Sequence, residues 1–304
     1  MSVRGTPGLQ IFKHLITVTA SVVITSKNRK DELRTALRSA VAQSAQPEVL
    51  VMDDGSTDGT TDMVRAEFPE VVLHHFNESK GLIVRRNGGA RLATGDVIFS
   101  IDDDAKFSTP QVVEQTLKNF ADVRIGAVAI PYIEPHKGNR LMQQSPDHVG
   151  VWITDRFIGT AHALRRDLFL KLGGYREHLV HQGEEGDFCI RMLETGHFVR
   201  LGNADAIIHH ESPKRNLARM DYYGCRNSIL FAWSNVPSKY FLLHLLATTF
   251  NCLWWTFVPR RFFTRLRGLV SGYSDCLGIQ RTPVISETYR QYRKLGKAGA
   301  VRLE

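Results

Sequence analysis

Apolar and polar positions follow two alternating rhythms along the first 120 residues. Ala20–Thr25 (ASVVIT), Val49–Met52, Val71–His75 and Val97–Ile101 are short runs rich in β-branched residues, as buried strands are. Between them, Arg29–Gln43 sets Leu33, Ala36, Leu37, Ala40 and Val41 at helical spacing, and Thr61–Ala66, Gly81–Ala93 and Pro110–Phe120 read as further helices. The Ser56-Thr57-Asp58 run supplies capping oxygens for the second of these. Strands alternating with helices predict an α/β fold with a mostly parallel, twisted sheet flanked by helices. Ligands of such sheets bind beyond the carboxyl ends of the strands.

From about Ile125 the rhythm loosens. Short strands are predicted at Ala127–Pro131 and Val151–Phe157, then a helix at Arg165–Leu172 closed by Gly173-Gly174. A helix at Glu184–Thr195 precedes strands at Phe198–Leu201 and Ala206–Ile208, and after Ser212 the chain turns helical and basic. No repeat is visible. The division this suggests is 1–105, 106–235 and a helical region 236–304.

Composition narrows the class. With 43% hydrophobic and 23% charged residues in a chain of 304, disordered and low-complexity readings are excluded. Four cysteines without a CxxC pair exclude a thiolate zinc site and point to a reducing compartment. Lys13 and His14 interrupt the one apolar run before residue 20, so a secretory signal is not expected. The net charge of +8 is local: residues 211–304 carry 15 Lys and Arg against 5 Asp and Glu, the other 210 residues 24 against 26.

Three clusters carry candidate chemistry. Asp102-Asp103-Asp104 follows an apolar strand; such carboxylates repel one another unless a divalent cation draws on their hard oxygens. The bland alternative is a solvated acidic turn. Asp53-Asp54 also ends a strand, in a Gly/Ser/Thr string that equally suits turn-and-cap chemistry. Glu184, Glu185 and Asp187 open a helix, either complementing its dipole or offering a general base. His209-His210 ends a strand. Neither a Gly-rich dinucleotide fingerprint nor a Walker A loop is present.

In order, the strings VVITSKNR, VLVMDDGSTDGT, NESKGLIVRRNGGARLATGD and IFSIDDDA resemble the nucleotide-binding half of family 2 glycosyltransferases of the GT-A fold. GTAHALRRDLFLKLGGYRE, GEEGDFCIRMLETG and AIIHHES resemble its acceptor half. The resemblance covers about Ser21 to Asn235. It implies an inverting, metal-dependent transferase moving a sugar from a nucleoside-diphosphate donor to a hydroxyl of a glycan or lipid-linked acceptor, in cell-surface or lipid-linked glycan synthesis. Carried over by residue, it implies that Thr25, Asp53 or Asp54, Arg86, Asp102 and Asp103 contact the nucleotide. Asp102, Asp104 and His209 would hold Mg²⁺ or Mn²⁺. Glu185 stands where the family has the catalytic Asp, with Glu184 hard to separate from it and Asp187 close by. Thr25 replaces the family's usual Pro and Arg85 its usual Ala. A nucleotidyltransferase is the alternative enzyme class, although Lys27-Asn28-Arg29 lacks the glycines it needs, and a catalytically dead nucleotide-sugar-binding protein is the non-enzymatic one.

Tyr240–Val258 is 19 residues without a formal charge, followed by Pro259-Arg260-Arg261 and then Arg265 and Arg267. Its length and its Trp254-Trp255/Arg flank favour an element lying in a membrane interface over a spanning or a capping helix. The chain is therefore expected in the cytoplasm, at the inner face of the membrane through 240–267. No nucleic-acid motif accompanies the basic block.

Overall fold

The computed structural model describes residues 18–210, 216–254 and 258–304. The expectations resting on Lys13, His14, Glu211, Trp255 and Phe257 lie outside the described residues.

In chain order the first half contains β1 (Ala20–Ser26), α1 (Lys30–Val41), β2 (Glu48–Asp53), α2 (Thr60–Glu67), β3 (Val72–His75), α3 (Leu82–Leu92) and β4 (Val97–Asp102). All the ladders among these four strands are parallel, with β1 between β2 and β4. Helices cover both faces, so Val22, Val23, Ile24, Leu50, Val51, Met52 and Phe99 are all buried, and the strands read as unbroken apolar runs. Helix α3 lies so close to the sheet that a Cβ on Gly89 would collide with Val23. That approach brings Arg85 and Arg86 inside the fold.

The second half contains β5 (Ala105–Phe107), α4 (Val112–Leu117), β6 (Ile125–Ala129), β7 (Tyr132–Ile133), β8 (Leu141–Met142), β9 (Trp152–Thr154) and β10 (Ala161–Arg165). After these come α5 (Arg166–Lys171), α6 (Glu184–Glu194), β11 (Phe198–Leu201) and β12 (Ile207–His209). The last segment holds α7 (Leu217–Asn235), α8 (Ser238–Trp254), α9 (Pro259–Asp275), α10 (Ser286–Ala298) and β13 (Val301–Arg302). The main sheet runs β13-β9-β11-β6-β10-β4-β1-β2-β3, and a small sheet runs β5-β12-β7-β8.

The expected α/β class holds, parallel through β4-β1-β2-β3 and mixed beyond. Strand β10, which pairs antiparallel with both β4 and β6, is not foreseen by the sequence pattern, because its Ala-His-Ala core offers no β-branched run. The small sheet sets His209 opposite Ala105 and so folds β12 back over the carboxyl end of β4.

The region 236–304 is helical, and its final residues return to the main sheet, where Val301 pairs with Ile153. Two of the arginines expected to meet lipid are committed internally: Arg261 and Arg265 both bond Asp221 of α7, over 2.7 and 2.9 Å. Among the described residues no helix is long and apolar enough to cross a membrane. Leu242, Leu243, Leu246 and Phe250 of α8 are nevertheless exposed.

Candidate active site

The aspartate triad emerges where β4 leaves the sheet beside β1, with Thr25 in register with Asp102. Chain connections depart in opposite directions here, the position at which α/β sheets bind ligands. Asp102 remains partly exposed, with 29% of its side chain accessible, against 10% for Asp103 and 8% for Asp104. Asp103 turns inward, accepting from Ser26 Oγ (2.8 Å) and Arg29 (2.9 Å). Burial pushes its carboxyl up to about 7 despite Arg29 and Ser26. Arg29 also donates to Asp104 over 2.8 Å, so one guanidinium offsets two of the three charges.

Asp104 and His209 meet across the two sheets. His209 Nε2 lies 3.2 Å from Asp104 and 4.0 Å from Asp102, and Glu134 stands 3.2 Å from Nδ1. Burial alone would raise the Asp104 pKa, but the hydrogen bond and charge of His209, with Arg29, bring it below the ordinary value. Ligand atoms of Asp102, Asp104 and His209 all lie within 4.8 Å of one another. Two carboxylates and an imidazole directed at one point suit a divalent cation. Glu134 fixes the ring so that Nε2 faces the cluster, as carboxylates behind metal-binding histidines do. Nothing in the sequence distinguishes Glu134 from any other loop acid; only the pairing of β7 with β12 brings it to His209.

The two strand-end acids of β2 face the protein. Asp53 accepts from the Ser56 amide (3.0 Å) and Thr61 Oγ1 (2.6 Å), and lies 2.8 Å from His75 Nδ1. Asp54 accepts from Ser79 Oγ (2.6 Å), the amides of Lys80 and Gly81 (2.8 and 2.9 Å) and Arg85 Nε (2.6 Å). Burial works against ionisation of both, yet these bonds lower both pKa values. The two carboxylates thus shape the loops around the switch point. The Thr25 side chain is half-buried, and its Oγ1 makes no hydrogen bond among the described residues.

Arg86 is buried and spans the two halves of the molecule. It donates to Asp102 Oδ1 (2.7 Å) and the Gly159 carbonyl (2.8 Å), and lies 3.7 Å from Glu184. Glu184 and Glu185 then separate by environment. Glu184 is enclosed, and its Oε2 has no hydrogen-bond partner among the described residues. Burial, reinforced by the charge of Glu185, pushes it up to about 8. Glu185 is half-buried and lines an open cavity. Burial raises its pKa as well, while Arg86 opposes the shift. Its carboxylate rests on Gly159, where a Cβ would sit 2.5 Å from Oε1. Asp187 points elsewhere: Arg176 (2.6 Å), Arg191 (2.9 Å) and Asn235 (2.8 Å) enclose it.

The loop feeding α6 is strained. Val180 and Gln182 hold φ of 63° and 68°, and a positive φ is costly for a β-branched residue. Asn227 of α7 restrains it, directing its side-chain amide at the carbonyls of Leu179 (2.8 Å), His181 (2.8 Å) and Gln182 (2.7 Å). Sequence reasoning missed Arg29, Glu134, Gly159 and Asn227 as parts of the site.

Residues 21–176 match the sequence pattern of the family described as Glycosyl transferase family 2. The chain is similar to the glucosyl-dolichyl phosphate glucuronosyltransferase of Haloferax volcanii, 29% identical over 64% of this chain and 69% of that one. It is similar also to the pre-mycofactocin glycosyltransferase of Mycobacterium tuberculosis, 29% identical over 67% of this chain and 46% of that one. This similarity spans less than half of the mycobacterial protein. Its architecture resembles the mannosyltransferase of Pyrobaculum calidifontis in complex with GDP-Man and Mn²⁺, with a TM-score of 0.58 at 19% identity, covering 91% of this chain and 83% of that one. The fold is therefore GT-A. The family pattern takes in β1 to α5, and with it the aspartate triad and Arg86: the protein is a member of glycosyl transferase family 2, a glycosyltransferase with a nucleotide-sugar donor.

Proposed function

We propose that the protein is a metal-dependent, inverting glycosyltransferase that moves a sugar from a nucleoside diphosphate to a hydroxyl of a cell-surface or lipid-linked glycan. One observation carries this reading: Arg86 joins the metal-competent end of the site to a half-buried carboxylate, Glu185, standing at the mouth of a cavity. A divalent cation held by Asp102, Asp104 and His209 would supply Lewis acidity to the departing diphosphate. Glu185 takes the proton of the acceptor hydroxyl, and its raised pKa suits it to that role. The acceptor oxygen then bonds to the anomeric carbon as the bond from that carbon to the diphosphate oxygen breaks, inverting the centre. Arg86 fixes Asp102 and the Gly159 carbonyl, setting the metal-binding carboxylate and the floor beneath Glu185 in one frame. Asp187, ringed by Arg176, Arg191 and Asn235, fastens α6 to α7.

The exposed apolar residues of α8 support placement on the cytoplasmic face of a membrane. A panel of nucleoside-diphosphate sugars incubated with the full chain and Mn²⁺ tests the assignment through the nucleotide released. Release of a nucleoside diphosphate from one donor, lost in EDTA, is the expected result. Release of a monophosphate, or indifference to EDTA, overturns it.

A further inference from the structure

The cavity at Glu185 is large, about 1280 Å³, and it extends well away from the aspartate triad. Its inner end is formed by Phe157, Glu185 and Gly186, and its walls by α7 and α8. The outer rim is α10, which contributes Arg290, Arg293, Lys294 and Lys297. These four lie at i, i+3, i+4 and i+7, one face of a helix, while Tyr289, Tyr292 and Leu295 anchor the other. All four are exposed, and among the described residues none forms an ion pair. The other cations lining the cavity behave differently: Arg156 is paired with Asp155 and Arg265 with Asp221.

Four like charges at one-turn spacing repel one another, and an anion of matching extent relieves that repulsion. Phosphate is the anion that several convergent Arg and Lys side chains hold best. The wall next to this stripe is α8, whose outward residues Leu242, Leu243, Leu246 and Phe250 are 54–74% exposed. A carboxylate, then a basic stripe, then an apolar helix follow in sequence from the inside outward. We infer that the cavity binds an acceptor made of a sugar joined through phosphate to a lipid chain. The sugar hydroxyl meets Glu185, the phosphate lies on the α10 stripe and the chain leaves along α8. This rests on the reading of Glu185 as the base, and it adds the chemical class of the acceptor.

The test uses the full chain with farnesyl phosphate, farnesol and inorganic phosphate as probes, followed by equilibrium binding and by alkylation of Cys252, which lines the cavity. Farnesyl phosphate is expected to bind about tenfold or more tightly than either partial probe and to protect Cys252. The variant R290E/R293E/K294E, and Gly224→Leu inside the cavity, are each expected to lose about tenfold or more of that affinity. Should the charge-reversed protein fail to fold, R290Q/R293Q/K294Q carries the same expectation with a smaller loss. Equal affinity for farnesol, or binding that both variants leave unchanged, overturns the inference. So does binding to phosphatidylglycerol vesicles as tight as to farnesyl phosphate and insensitive to Gly224→Leu, which would mark the stripe as a membrane-surface contact only. Nucleotide-sugar binding with Mn²⁺ is measured on the same samples. Donor binding without farnesyl phosphate binding refutes the acceptor class alone, whereas absent donor binding refutes the transferase reading.

Discussion

Arg86 lies 2.7 Å from Asp102 and 3.7 Å from Glu184, and hardly any of its own side chain is exposed to water. A single guanidinium thereby couples the end of β4 to the start of α6, two elements more than 80 residues apart in sequence. A planar fork is required, because the Gly159 carbonyl takes a further hydrogen bond from the same group. Arg86→Lys keeps the charge but not the fork. We expect it to lower turnover by about a hundredfold or more through misplacement of both carboxylates, with melting temperature lowered as well. Full activity in the lysine variant would show that charge alone suffices.

The two adjacent glutamates are expected to respond differently. Glu185→Gln should lose transfer to acceptor by about a hundredfold or more, the scale of a general base, with donor affinity little changed. Glu184→Gln, enclosed beneath it, should retain most transfer. Steady-state kinetics with a soluble acceptor decides the assignment, and a larger loss at Glu184 would reverse it.

Glu184 also makes stability depend on pH. Its carboxyl, raised by burial to about 8 from an ordinary 4.5, stays protonated in the folded protein at pH values where the unfolded chain has ionised. The stabilisation is therefore complete below pH 4.5 and is lost as pH rises through 8. The Glu184→Gln protein should melt with the native one at pH 4.5 and above it by a growing margin up to pH 8, after which the margin levels off. Thermal melts across that range measure it; a constant margin would place an ionised carboxylate there.

Glu134 offers a test of the metal centre away from its ligands. Glu134→Gln removes the charge behind His209 Nδ1 while preserving size. Mn²⁺ affinity should fall by about tenfold to a hundredfold, as is typical when such a partner is lost. Isothermal titration with Mn²⁺ reports it directly, and unchanged affinity would remove His209 from the ligand set.

Asn227→Ala should release the Leu179–Gln182 carbonyls and leave polar groups of a strained loop unpaired. A destabilisation of about 1–3 kcal/mol follows from each such buried loss. Denaturant unfolding gives the stability, and kcat should fall together with it because Glu185 sits at the end of that loop. Restored stability without restored kcat in a second-site variant would separate the two effects.

The nucleotide half was legible because its physics is local. Each strand is an apolar run, each helix has its own periodicity, and the acids fall at strand ends, so Asp102, Asp104 and Arg86 could be named from spacing and resemblance. What could not be read depends on long-range pairing. Glu134 matters only because β7 lies beside β12, and Gly159 only because Arg86 and Glu185 converge over it. Arg29 sat in plain view after β1, but its role as counter-ion to two aspartates requires the fold. The division of labour between Glu184 and Glu185 is likewise set by which of them α6 turns toward the cavity, half a residue's rotation that no adjacent-pair motif encodes. The basic C-terminal block looked like one electrostatic surface; Asp221 splits it by claiming Arg261 and Arg265.

The pairing of Val301 with Ile153 bears on the order in which the molecule can be assembled. The parallel strands β1 to β4 are complete by residue 102 and need only neighbouring segments to close, so the donor side can organise early in synthesis. The outer edge of the acceptor side instead waits for β13, whose partner β9 was made about 150 residues before, a long and slow closure for a chain to make. During that interval the apolar edge of β9 and the face of α6 destined for α10 stand uncovered. The step most vulnerable to aggregation or to chaperone capture is thus the arrival of the C-terminal helix and strand, the segment that also frames the acceptor cavity.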